Sequence, residues 1–189
     1  MVQGKFVIIA MVTVGLGLSG FAWWARYQGS RQVLSVWGPD AVIAIRQGRE
    51  VELLRLSDRA MEGQPTETMK IHDREVFVQS STDITQVPGL IHARHHLIHE
   101  KGFGWKDPRP DGCEPNWDVA IRFRMDQRVA TLAMDFQCNR AFLVERDAEV
   151  SMKPISASMR KFLDGIPTGQ TSGGAQVDVG DQSELLNAN

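Results

Sequence analysis

The sequence predicts an α+β fold: a small antiparallel sheet with helices on one face, preceded by a single N-terminal transmembrane helix. Three observations predict it. The run Phe6–Ala25, FVIIAMVTVGLGLSGFAWWA, is apolar and carries no charge. The best-defined strand pair, within residues 118–144, reads as a hairpin, and a hairpin pairs antiparallel. Helical and strand patterns then mix along the chain without the regular βαβ repeat of a parallel sheet.

At the N-terminus, a helix needs about 20 apolar residues to cross hydrocarbon, and residues 6–25 just reach that length. A helix would pair the backbone groups internally, as lipid requires. Trp23, Trp24 and Tyr27 suit the water interface, where a ring buries its face and keeps a polar tip wet. Two rival readings stay open. A cleaved signal peptide would use the small residues Gly20 and Ala22, although bulky Trp23 and Trp24 follow directly. A core helix of a globular fold would need a polar face, which the run lacks. Lipoprotein processing is excluded, since neither cysteine lies near the run. Lys5 argues for the start inside and Arg26 and Arg31 argue against it; a short tail is easily left in the cytoplasm. The expected arrangement is an anchor in residues 1–29, a folded body in residues 30–166 and a tail in residues 167–189. The anchor would touch membrane lipid, with the body on the periplasmic side of the inner membrane.

A body of this size supports one domain with one core. The formal charge of −2 comes without a basic stripe, so nucleic-acid binding has no support. The tail is rich in Gly, Gln, Ser and Asn; it buries too little apolar surface to offset its ordering entropy, and disorder is expected.

Within the body, Gly38-Pro39-Asp40 opens a helix, because proline at the first helical position loses only a donor that was unpaired anyway. Gly48 ends it. Glu50–Leu56 and Arg74–Gln79 read as strands on either side of a polar loop with Gly63 and Pro65. Pro88–Glu100 is the clearest helix. Strands follow at Asp118–Arg124 and from Arg128 to about Val144. Ser156 can cap a last helix that ends at Gly165.

Four of the five histidines fall in the helix 88–100: His92, His95, His96 and His99. At 100° per residue they gather opposite Leu90, Ile91, Ala93, Leu97 and Ile98, and neighbours three or four apart can meet. A solvated polar face explains this pattern by periodicity alone. Two imidazoles at that spacing can also chelate Zn²⁺, Cu²⁺ or Ni²⁺ weakly, and the stripe gains charge as pH falls below about 6.5. There is no HExxH, and no cofactor is otherwise implied. Arg94 falls on the apolar side and would have to snorkel.

The only cysteines are Cys113 and Cys138. A four-residue hairpin loop, 124–127, would set Phe123 opposite Arg128 and Ile121 opposite Ala130, and continuing the count puts Cys113 opposite Cys138. A disulfide is then reasonable outside the cytoplasm; two buried thiols are the alternative, and Pro115 would interrupt the ladder near Cys113.

These same residues carry a resemblance. The segment Phe103–Val144 resembles a group of small uncharacterised bacterial proteins whose hairpin reads C-x-P-R-H, an apolar strand, a turn, then I-C-F-E-C. The matching residues are Cys113-Glu114-Pro115-Asn116-Trp117 and Met134-Asp135-Phe136-Gln137-Cys138. Asn116-Trp117 stands in place of Arg-His, and Asp135 in place of the first cysteine of the second motif, so no thiol or histidine chemistry carries over. The resemblance implies the fold and no activity.

No nucleophile elbow, P-loop, dinucleotide fingerprint or zincin helix occurs. Asp107, Asp111, Asp118, Asp126 and Asp135 are scattered and read as turn or surface residues. The sequence therefore leads to a membrane-anchored, non-enzymatic interaction or assembly domain outside the cytoplasm, with another envelope protein as partner. A metal- or pH-sensing domain built on the histidine stripe is the alternative.

Overall fold

The computed structural model describes residues 3–28, 31–60, 67–110 and 112–166, and in the first helix the side chains of residues 11–24. The fold is α+β, a curled antiparallel sheet of seven strands with helices. Helix α1 (Gln3–Gln28) precedes α2 (Arg31–Gln47), followed by β1 (Glu50–Ser57), β2 (Thr68–Ile71), β3 (Arg74–Asp83) and α3 (Leu90–Leu97). Then come β4 (Val119–Met125), β5 (Arg128–Asp135), β6 (Arg140–Leu143), β7 (Ala148–Ser151) and α4 (Ser156–Asp164). The strand order is β2-β3-β1-β4-β5-β6-β7.

The alternation along the central strands builds two cores. Val51 and Leu53 of β1, Val119, Ile121 and Phe123 of β4, and Ala130, Leu132 and Met134 of β5 meet the helices on one face. Trp37, Ala41 and Ile45 of α2 and Leu90, Ala93 and Leu97 of α3 supply the other half of that core. Leu54, Leu56, Ala120, Ala133 and Phe142 point the other way, where they pack with Met69, Ile71, Val76 and Trp117. Successive side chains of a strand leave opposite faces, so a strand buried on both sides needs apolar residues at nearly every position. The sheet curls, and its first hairpin comes round onto this second core.

The structure corrects several expectations. The transmembrane helix 6–25 is not present as such: among the described residues, no helix is long and apolar enough to cross a membrane. The disordered tail expected at 167–189 lies outside the described residues. The helix expected from Gly38-Pro39 is the second half of α2; Gly38 breaks it with φ 77°, and a side chain there would strike Arg146. The final helix starts at Ser156, but Ser156 is its first residue and gives no cap. The long strand expected from Arg128 divides at a turn, 136–139, into β5 and β6, and β2 and β7 are short strands that local patterning did not mark.

The hairpin register also differs. Met125 pairs with Arg128, Phe123 with Ala130 and Ile121 with Leu132, across a two-residue turn in which Asp126 takes φ 53°. The expected loop was two residues too long. Tight hairpins favour left-handed turn residues that match the twist of the strands, and aspartate tolerates that conformation better than most.

Candidate functional site

Helix α3 buries Leu90, Ala93 and Leu97 and exposes His92, His95 and His96, as the helical phase read from the sequence places these six. Ile91, expected on the apolar side, is 75% exposed. The helix stops at Leu97, and His99 takes φ −100° and ψ 131°, outside helical geometry. Its Nδ1 accepts the Lys101 backbone N–H at 3.3 Å. The rings of His95 and His99 lie 5.3 Å apart and those of His95 and His96 6.3 Å apart. Among the described residues, no group of three or more His, Cys, Asp or Glu side chains is arranged to hold a metal ion. Arg94 reaches back to the Arg46 and Gly48 carbonyls with its guanidinium over the Phe123 ring, and burial pushes its pKa down.

His92 and His96 line one wall of a groove between α3 and α4, with a cavity of about 830 Å³. Val87, Ala93, Met159 and Phe162 make it apolar, while His92, His96 and Lys161 border it. Gly89, at φ 90° just before α3, also lines it, and a Cβ built there would stand 3.5 Å from the Phe162 ring. A second hollow of about 300 Å³ adjoins the first at His96 and Ser158, which line both, and is bordered also by His95, His99 and Lys101.

The disulfide Cys113–Cys138 is present, with Cα atoms 5.8 Å apart. Its place differs from the expected one: the β4–β5 ladder ends at the pair Val119–Met134, so the two cysteines join the loop before β4 to the turn after β5 rather than facing each other on a ladder. Asp135, read from the sequence as a surface or turn carboxylate, is fully buried. It accepts the backbone N–H groups of Asn116, Gln137 and Cys138, tying both sides of the bridge to the end of β5. Asp118 has its carboxyl raised by partial burial and by the charges of Asp135 and Asp58, against the lowering effect of Arg55.

Sequence reasoning also missed the cluster around Glu149 on β7. Arg140 Nε donates to Glu149 Oε1 at 2.6 Å, Arg109 pairs with the same carboxylate, and His72 Nε2 lies 2.8 Å from Oε2. His72, at φ 53° in the turn between β2 and β3, also lies 3.5 Å from Asp147 and against the Phe142 ring at 4.5 Å. Thus the two ends of the seven-stranded order meet through side chains. Burial alone would raise the Glu149 carboxyl, but the hydrogen bonds from Arg109, His72 and Arg140 outweigh it and hold it below the ordinary range. No local signal marks partners 77 residues apart.

On α1, Met11, Val12, Val14, Leu16, Leu18, Phe21, Trp23 and Trp24 are all exposed, Leu16 by 70%. Tyr27, expected beside the two tryptophans at a membrane interface, lies outside the residues whose side chains are described. Compared with known protein families, with curated proteins and with solved structures, the chain matches none.

Proposed function

We infer that this chain is a non-enzymatic interaction or assembly module that works outside the cytoplasm, associated with lipid through α1, with another envelope protein as the partner of its folded body. The observation that carries this reading is the row of exposed apolar side chains on α1. An exposed apolar surface of that extent marks a contact with protein or lipid. At 100° per residue, Val12, Leu16, Trp24, Val14 and Leu18 fall at about 0°, 40°, 120°, 200° and 240°, so exposed apolar side chains stand on several sides of the helix. Trp23 and Trp24, both exposed near its end, carry rings suited to a lipid–water interface, which favours a lipid surface as the contact. The disulfide supports the address, because such bonds persist in oxidising compartments.

The test is flotation of the full chain with phosphatidylethanolamine–phosphatidylglycerol vesicles. The chain should rise with the vesicles, and the pair Leu16→Glu and Phe21→Glu should leave it at the bottom of the gradient. A wild-type chain that stays at the bottom removes the lipid contact and leaves a protein as the cover of α1. Alkylation in intact cells checks the address: Cys113 and Cys138 should resist labelling until reductant is added.

A further inference from the structure

We propose that the groove between α3 and α4 binds a single-chain amphiphile with an anionic head, a fatty carboxylate in the simplest case. The site uses no side chain of α1 and stands apart from the lipid contact inferred above. Small-molecule sites are typically about 300–1,000 Å³, mostly apolar, with a few placed polar groups, and the main hollow of about 830 Å³ falls within that range.

The groove is polarised along its length. Val87, Ala93, Met159 and Phe162 form the wide apolar section, which suits a hydrocarbon chain. Beyond the waist at His96 and Ser158, the narrow section carries His95, His99 and Lys101. Every imidazole offers at least one N–H in either neutral tautomer, and lysine offers three donors and a full charge. The charges along both sections select an anion. Lys101 and Lys161 are cations, and among the described residues the only acidic side chain lining either section is Asp83. Asp83 sits in the wide section, away from the narrow one, and its pKa is held down by the Thr85 hydroxyl and then by the Thr85 backbone N–H, which its carboxylate accepts at 2.8 Å. A cationic head would meet no acceptor of its own charge complement at the histidine end. The stripe that reads as a solvated face in the sequence becomes, once α4 packs alongside, the lining of a site.

The test uses the full chain in phosphatidylcholine vesicles, irradiated with a diazirine derivative of lauric acid, with labelled peptides mapped by mass spectrometry. Label should fall in residues 83–101 and 153–166, and be displaced by excess laurate but not by dodecyltrimethylammonium. Ser158→Phe fills the waist from an exposed position, and Lys101→Glu reverses the charge at the narrow end. Lys101→Glu should weaken displacement by laurate about tenfold, the loss of roughly one charge-assisted contact, and Ser158→Phe should weaken it by occupying the space, with the melting temperature unchanged in both. Label confined to α1, equal displacement by the cationic detergent, or unaltered affinity in Lys101→Glu would each overturn the site.

Discussion

The two faces of the sheet are closed by different physics. The face under α2, α3 and α4 is sealed by apolar side chains: Trp37 is fully buried with its ring edge-on to Phe103 at 5.3 Å, and Leu97 and Phe123 are buried beside them. The opposite face has a smaller apolar cluster and is finished by polar and covalent devices: the Cys113–Cys138 bridge, the three N–H groups on Asp135, and the clasp of His72, Arg109 and Arg140 on Glu149. Burial of apolar area is non-directional and insensitive to mild acid or reductant. Ion pairs and a disulfide are specific and respond to both. The difference teaches where this molecule should yield to its surroundings first.

The comparison can be broken from the helix side. Leu97→Asp puts an unpaired carboxylate into the main core and should cost more than about 4 kcal/mol, enough to leave no cooperative transition in a urea melt. A folded Leu97→Asp protein would show that the helices do not seal that face. On the other face, Cys113→Ser opens a bridge spanning 25 residues, and the chain-entropy relation gives a loss of about 3.5 kcal/mol. The intact bridge should appear in non-reducing mass analysis as a deficit of two hydrogens.

Glu149→Gln leaves the buried Arg140 without its countercharge and should cost about 3 kcal/mol by chemical denaturation. Acid does the same by protonation. The folded carboxyl is held below its unfolded value of about 4.3, so its contribution is complete above that pH and is lost as pH falls through the folded value. Wild-type stability should therefore drop below about pH 4, and the drop should be smaller in Glu149→Gln; equal acid sensitivity in both proteins would move the effect elsewhere. Asp135→Asn sets an amide against at least one of three N–H donors and should cost about 2 kcal/mol, seen as a lower melting temperature. The smallest effect belongs to His96→Ala on the exposed wall of α3, within about 0.5 kcal/mol of wild type.

Much of the helix-covered face was legible beforehand. Leu90, Ala93 and Leu97 recur at helical spacing, and the odd positions of β4 and even positions of β5 alternate as a half-buried hairpin must. The disulfide was also legible, for a weak reason: with two cysteines there is one pair. The ladder argument offered for it was wrong by two residues, because the turn at Asp126-Gln127 is tighter than expected. Asp135 was misread because alternation assigns it the face opposite Met134, and nothing local says that the cysteine loop covers that face. His92, His95 and His96 were placed on the right side of α3, whereas His99 lies beyond its end, and their bordering a groove depends on where α4 lands.

What the linear chain determined by itself is what repeats within a few residues: which side of α3 is apolar, that β4 and β5 form a hairpin, and that α1 is apolar all round. Side-chain direction follows backbone period, and period is written locally. What only the tertiary structure decided is what the curl of the sheet and the docking of α4 bring together: His72 with Glu149, Asp135 with Asn116, and His96 with Ser158 across the groove. Those encounters depend on twist and register summed over seven strands, which no short window of sequence contains.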